Sequence, residues 1–135
     1  MTNRRDLLAG AMTMLAGAVA QAQNPAPSGT PPVFQHELPN VTMDGWEVHV
    51  SIVEMPPGRV GRPHRHAGFV LAYVLEGAIV TKISDQPETT YQTGQMFYEP
   101  PGSTHEVSRN ASQTARARLL AMIFAKKGST LTTPA

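Results

Sequence analysis

Among the side chains of this sequence able to do chemistry near neutral pH are five histidines, and two of them stand one residue apart, His64-Arg65-His66. On an extended strand, residues i and i+2 face the same way, so both imidazoles project from one face and can offer two nitrogen donors to one metal ion. Arg65, between them, is expected on the opposite face. The chain has no cysteine, which excludes disulfides, thiolate ligands and cysteine nucleophiles. The same spacing also describes two partly exposed imidazoles on an ordinary strand. No Gly-x-Ser-x-Gly elbow, phosphate-binding loop or dinucleotide fingerprint is present.

The elements that must carry these histidines are strands. Trp46, Val48, Val50 and Ile52 alternate with Glu47, His49 and Ser51, a period of two that predicts a strand ending at Pro56-Pro57-Gly58. Further strands are expected at Phe69 to Leu75, Ala78 to Ile83, Thr89 to Gln92, Met96 to Tyr98, His105 to Ser108 and Arg118 to Ala125. Glu76-Gly77, Asp85-Gln86-Pro87, Gly94 and Pro100-Pro101-Gly102 supply the turns. Short strands at close, even spacing with almost no helical pattern argue for one all-β antiparallel sandwich or barrel. A chain of 135 residues with 41% hydrophobic content supports one such domain and no more.

Ahead of this domain, Arg4 and Arg5 precede an apolar run from Leu7 to Ala20, and Ala20-Gln21-Ala22 offers small residues for cleavage. Residues 1–22 are expected to be a signal segment resembling a twin-arginine export signal, and a periplasmic location follows. The run is too short and too weakly apolar for a permanent anchor. Residues 23–32 read as a proline-rich linker, 33–128 as the barrel and 129–135 as a loosely ordered tail. Cleavage after Ala22 removes two of the eleven basic residues and one of the ten acidic ones, leaving nine of each. A neutral mature chain without a basic run does not suit nucleic acid.

Two longer patterns surround the histidines: Gly58, His64, His66 and Gly77, then Gly94, Pro100, Gly102 and His105. They resemble the paired motifs of the cupin superfamily, small double-stranded β-helix (jelly-roll) barrels. The resemblance implies a metal site in which the first motif contributes His64 and His66 and the second contributes His105. His36 and His49 match neither motif. One divalent transition metal is implied: Fe if the protein is an oxygenase, with Mn, Ni, Zn and Cu also accepted by three imidazoles. Pairing of two copies through a sheet edge is likewise implied, a homodimer that would cover exposed strand edges.

The sequence departs from the motif where it matters chemically. The glutamate that usually follows the second histidine by four residues is Val70 here, and the asparagine closing the second motif is shifted by one, to Asn110. Strand parity places Val70 on the His64 and His66 face, lining the pocket. Three neutral imidazoles leave positions open for a small organic substrate and dioxygen, as in three-histidine cupin dioxygenases. Glu99 is the candidate to replace the carboxylate or to act as general base; equally, it could be a rim residue paired with Arg59, Arg62 or Arg65. Tyr98 is expected to line the pocket with Val70. The function classes compatible with this reading are a metal-dependent enzyme of dioxygenase type, a metal-dependent lyase or isomerase, and a non-catalytic ligand- or metal-binding module.

Overall fold

The structure, a computed structural model, describes residues 29–135; the expected signal segment and the start of the linker lie outside them. Among the described residues every regular element is a strand: β1 (Trp46–Met55), β2 (His64–His66), β3 (Phe69–Glu76), β4 (Ala78–Ile83), β5 (Thr89–Gln92), β6 (Met96–Glu99), β7 (Thr104–Asn110), β8 (Ala117–Lys126) and β9 (Thr132–Pro134). They form two antiparallel sheets, a four-stranded one in the order β1-β8-β3-β6 and a five-stranded one in the order β5-β4-β7-β2-β9. The all-β expectation is met, and each strand expected from alternation is present.

Apart from the β4–β5 hairpin, consecutive strands cross from one sheet to the other, and the corners show why glycine stands there. Gly77, between β3 and β4, has φ 72°, and a Cβ on it would lie 2.8 Å from the Arg116 carbonyl oxygen. Gly68 sits where the chain leaves β2 for β3, packed so closely that a Cβ would collide with the Phe124 carbonyl and the Trp46 ring. That close approach holds His66 and Val70 on facing sheets four residues apart.

Met55, Ala72, Val74, Ile79, Ile83, Phe97, Ala117 and Leu119 form one buried cluster between the sheets. Val70, Ile123 and Ala125 form a second, with Leu131 packed on it. Apolar burial of this kind contributes about 25 cal/mol per Å² and is the main stabilising term. Asn110 anchors the first cluster's edge: it is 2% exposed, and its amide lies 2.8–3.1 Å from the carbonyls of Met55, Pro56 and Ala115.

One feature differs from what the sequence suggests, and a second settles what it left open. Residues 129–135 are not a loose tail, because β9 pairs with β2 and satisfies an edge that the short β2 would otherwise leave open. The apolar stripe of β1 also faces outward: Val48, Val50 and Ile52 remain 49%, 56% and 51% exposed, while Ser51 and Val53 point at the interior. Their cross-strand partners Phe124, Met122 and Leu120 continue this apolar outer face across the four-stranded sheet. Alternation identifies a strand but cannot say which face meets the core when both faces carry apolar residues.

Candidate metal and ligand site

The two inner faces enclose a cavity of about 250 Å³, open at one end. Its walls are Ser51, Val53, Val70, Ala72, Leu119, Ala121 and Ile123 from the four-stranded sheet, facing His64, His66, His105 and Ser108 from the other. The space exists because three small residues lie in one row: Ser51 is paired with Ala121, and Ala121 with Ala72. A cavity of about 150 Å³ holds benzene, so this one suits a ligand of roughly one ring with substituents.

Each histidine is placed by the register. His64 on β2 is the direct partner of His105 on β7, and directly paired residues share a face. The ring centroids are 5.0 Å apart for His64 and His105 and 4.9 Å for His64 and His66. Arg65 points away, its Nε donating to Thr104 Oγ1 at 2.9 Å. The shifted Asn110 has a structural counterpart. Lys82 pairs with Val107 but Ile83 pairs with His105, so Glu106 is the extra residue of a β-bulge. The bulge turns His105 and Ser108, three apart, to the same face, and leaves Glu106 outside, paired with Lys82.

Hydrogen bonds set the tautomers. His64 Nδ1 donates to the Arg62 carbonyl at 2.8 Å and His66 Nδ1 to the Leu131 carbonyl at 3.2 Å. Since a carbonyl only accepts, Nδ1 carries the proton in both rings and each Nε2 keeps its lone pair, the form that ligates metals. Burial pushes the His66 imidazolium below its ordinary pKa, opposed by Glu99 and the Leu131 carbonyl and reinforced by His64 and His105. The neutral ring therefore prevails at pH 7.

Glu99 joins them. It is 5% exposed, with Oε1 3.1 Å from His105 Nδ1 and Oε2 3.7 Å from His66 Nε2. No arginine or lysine among the described residues pairs with it, so the rim position beside Arg59, Arg62 or Arg65 is not where it lies. A carboxylate this buried, if ionised, needs a cation close by. Glu99 on β6 is the direct cross-strand partner of Val70 on β3. The carboxylate missing at position 70 thus reappears on the adjacent strand, on the same face.

Tyr98 is corrected by the same parity. With Glu99 inward, Tyr98 turns to the outer face, where it packs on His36 at 4.2 Å and Phe69 at 6.0 Å between ring centroids. Val70 does line the cavity and is 1% exposed. His36 and His49 stand apart, His36 bonded to the Glu37 carbonyl and His49 to Glu47. Ser51, Ala72, Ala121, Ser108 and Thr132 also line the cavity, and only strand parity could have nominated the first four. Thr132 carries no sequence signal.

Among the described residues no three His, Cys, Asp or Glu side chains are already arranged as a metal's ligand set. His64, His66, His105 and Glu99 are neighbours rather than a closed cluster. Their chemistry nonetheless fits a divalent ion. The His105 Nε2 atom is buried with no hydrogen-bond partner, at a cost of about 1–3 kcal/mol. A half-turn of the ring about Cβ–Cγ exchanges its edges. Three imidazole nitrogens and one carboxylate suit borderline divalent ions from Mn(II) to Zn(II).

Comparison with known proteins agrees with this fold. The cupin domain family model matches residues 51–123, more than half of the chain. The chain belongs to the cupin family. No curated protein sequence matches it. A double-stranded β-helix protein from Klebsiella pneumoniae, described as uncharacterized, superposes with TM-score 0.55 at 18% identity, over 65% of this chain and 74% of that one. The DMSP lyase DddQ from Ruegeria pomeroyi gives TM-score 0.56 at 17% identity, over 73% of this chain and 55% of that one. The oxalate decarboxylase of Bacillus subtilis, with Mn(II) centres, gives 0.55 at 17% identity, over 64% of this chain and 23% of that one. Likeness at such identities establishes the shared cupin fold and nothing of the reaction.

Proposed function

We propose that this cupin is a metal-dependent enzyme of dioxygenase type acting on a small, largely apolar organic molecule. His64, His66 and His105 would be the metal ligands, with Glu99 in place of the carboxylate that the family motif carries at position 70. The observation that carries the reading is the set of three imidazoles lining one apolar cavity, one of them with a buried and unpartnered Nε2. A divalent ion held there supplies Lewis-acid polarisation of a substrate oxygen and, as Fe(II), one-electron chemistry with dioxygen. The chain's own residues do the rest. Val70, Leu119 and Ile123 exclude water and seat an apolar body, and the Ser51 and Ser108 hydroxyls can orient its polar groups. Oxygen uptake by the anaerobically Fe(II)-loaded protein, given a panel of single-ring enols, catechols and hydroxy acids, tests it. Metal-dependent turnover without oxygen uptake would overturn the oxygenase reading.

A lyase or isomerase is the second reading, and the buried Glu99 carboxylate favours it, because a base beside a polarised substrate is what proton abstraction needs. Turnover under nitrogen that Glu99→Gln abolishes would establish it. Ligand retention with no turnover in either atmosphere would mark a non-catalytic binding module. The export reading from Arg4, Arg5 and Ala20-Gln21-Ala22 stands as a proposal alongside: a periplasmic mature chain beginning near Gln23, checked by N-terminal sequencing of exported protein. Homodimer formation is proposed too, supported by the exposed Val48, Val50 and Ile52, and sedimentation of wild type against Val50→Lys tests it. No nucleic-acid partner is proposed.

A further inference from the structure

The C-terminal strand borders the site, and Thr132 lines its cavity. β9 lies antiparallel to β2, with His64 opposite Pro134, Arg65 opposite Thr133 and His66 opposite Thr132. Around His66 the contacts concentrate. The Leu131 carbonyl accepts from the Ala67 amide at 3.1 Å and from His66 Nδ1 at 3.2 Å, and Thr132 Oγ1 lies 3.1 Å from that same nitrogen. The Leu131 side chain packs on Val70, Ile123 and Ala125, so the carbonyl is seated by apolar contact and not by the exposed strand alone.

We propose that residues 131–135 form a strap that positions His66, the Leu131 carbonyl holding its ring in the Nδ1–H tautomer with Nε2 directed at Glu99. The inference rests on the reading of His66 as a metal ligand, and it adds the element that makes it one. A histidine's tautomer is set by the hydrogen bond its other nitrogen makes. Losing such an outer partner costs 10- to 100-fold in metal affinity. The strap is also removable: β9 is short and exposed and is joined to β8 through Gly128, whose φ is 83°. With the strap gone, the ring is free to turn and to protonate Nε2, the atom that must stay bare.

The experiment compares the full chain with one ended at Thr130, using two readings. The first is imidazole nitrogen NMR of the metal-free proteins. His66 is expected as the Nδ1–H tautomer in the full chain and as a mixture or the Nε2–H form in the shortened one, with His64 unchanged. The second is Co(II) titration, where affinity should fall 10- to 100-fold while the circular dichroism of the barrel is retained. An unchanged His66 tautomer on truncation overturns the proposal whatever the metal does. A changed tautomer in a protein whose full-length form binds no Co(II) would instead support the strap and remove the metal reading. If the shortened chain does not fold, Leu131→Ala, which unseats the carbonyl but keeps the backbone, should give the same tautomer shift in part. Thr132→Val removes the other group on Nδ1 and should raise the Nδ1–H fraction. A fall would show that the hydroxyl, not the carbonyl, sets the ring.

Discussion

The two ends of the barrel interior are built from the same strands and do different work. At the closed end, Val74, Ile79, Ala117 and Met55 are at most 3% exposed and pack against one another without a polar atom among their side chains. At the open end the same inner faces carry Val70, Ala72, Ala121 and Ile123 opposite three histidines, with Glu99 beside them. Along β3 alone, inward residues pass from Val74 in the packed core to Val70 at the site. One end invests side-chain volume; the other leaves space and places polar groups where their burial is costly. The comparison teaches that close packing and buried polar groups are segregated along the barrel axis, so that, on the proposed function, substitutions at each end should report on one property.

The largest expected effect is at the closed end. Ile79→Ala removes a fully buried side chain and should cost about 2–5 kcal/mol, read as a lower urea midpoint with unchanged slope, while metal stoichiometry of the folded protein stays the same. Lost metal binding in that folded variant would break the segregation. At the open end, His64→Ala, His66→Ala or His105→Ala should each weaken metal binding at least about 100-fold, or about 2.7 kcal/mol. Thermal stability of the metal-free protein should change little in His64→Ala and fall in His105→Ala, which leaves the buried Glu99 without its Nδ1 partner. His36→Ala and His49→Ala should keep full affinity, and equal behaviour of all five variants would refute the site.

A smaller effect sharpens the carboxylate's place. Glu99→Gln should lower metal affinity about 10-fold or more, the lower end of about 10- to 100-fold for a lost site partner. Val70→Glu adds a second carboxylate opposite the first and should favour Mn(II), a harder ion. The exchange Val70→Glu with Glu99→Val moves the carboxylate across one rung of the β3–β6 ladder and should recover most of the affinity lost in Glu99→Gln. If Val70→Glu lowers the melting temperature without changing Mn(II) affinity, position 70 belongs to the packed end and the boundary drawn here is wrong. The smallest effect is Ala121→Leu, which fills the row of small residues at a cost of about 1–3 kcal/mol and should exclude ligand while metal affinity stays within a few-fold.

Alternation and turn residues in the sequence were enough to establish an all-β antiparallel domain and nearly every strand, because those signals are local: a period of two, and glycines where the chain must turn. The common face of His64 and His66 is legible for the same reason. The resemblance to the cupin motifs added His105 and the empty place at Val70. The orientation of Tyr98 was missed because parity had to be counted from a residue whose own facing was unknown until Glu99 was seen to turn inward.

Four things were decided only by tertiary structure, each through pairing between residues far apart in sequence. The register of β2 against β7 sets His64 opposite His105. The bulge at Glu106 turns His105 and Ser108 to one face and absorbs the shift of Asn110. The register of β3 against β6 sets Glu99 opposite Val70, on the face that lines the cavity. The pairing of β9 with β2 turns the expected loose tail into the neighbour of His66. Sequence periodicity determines which residues of a strand share a face, but register, bulges and the choice of inner face are settled by the free energy of long-range packing, which no local pattern encodes.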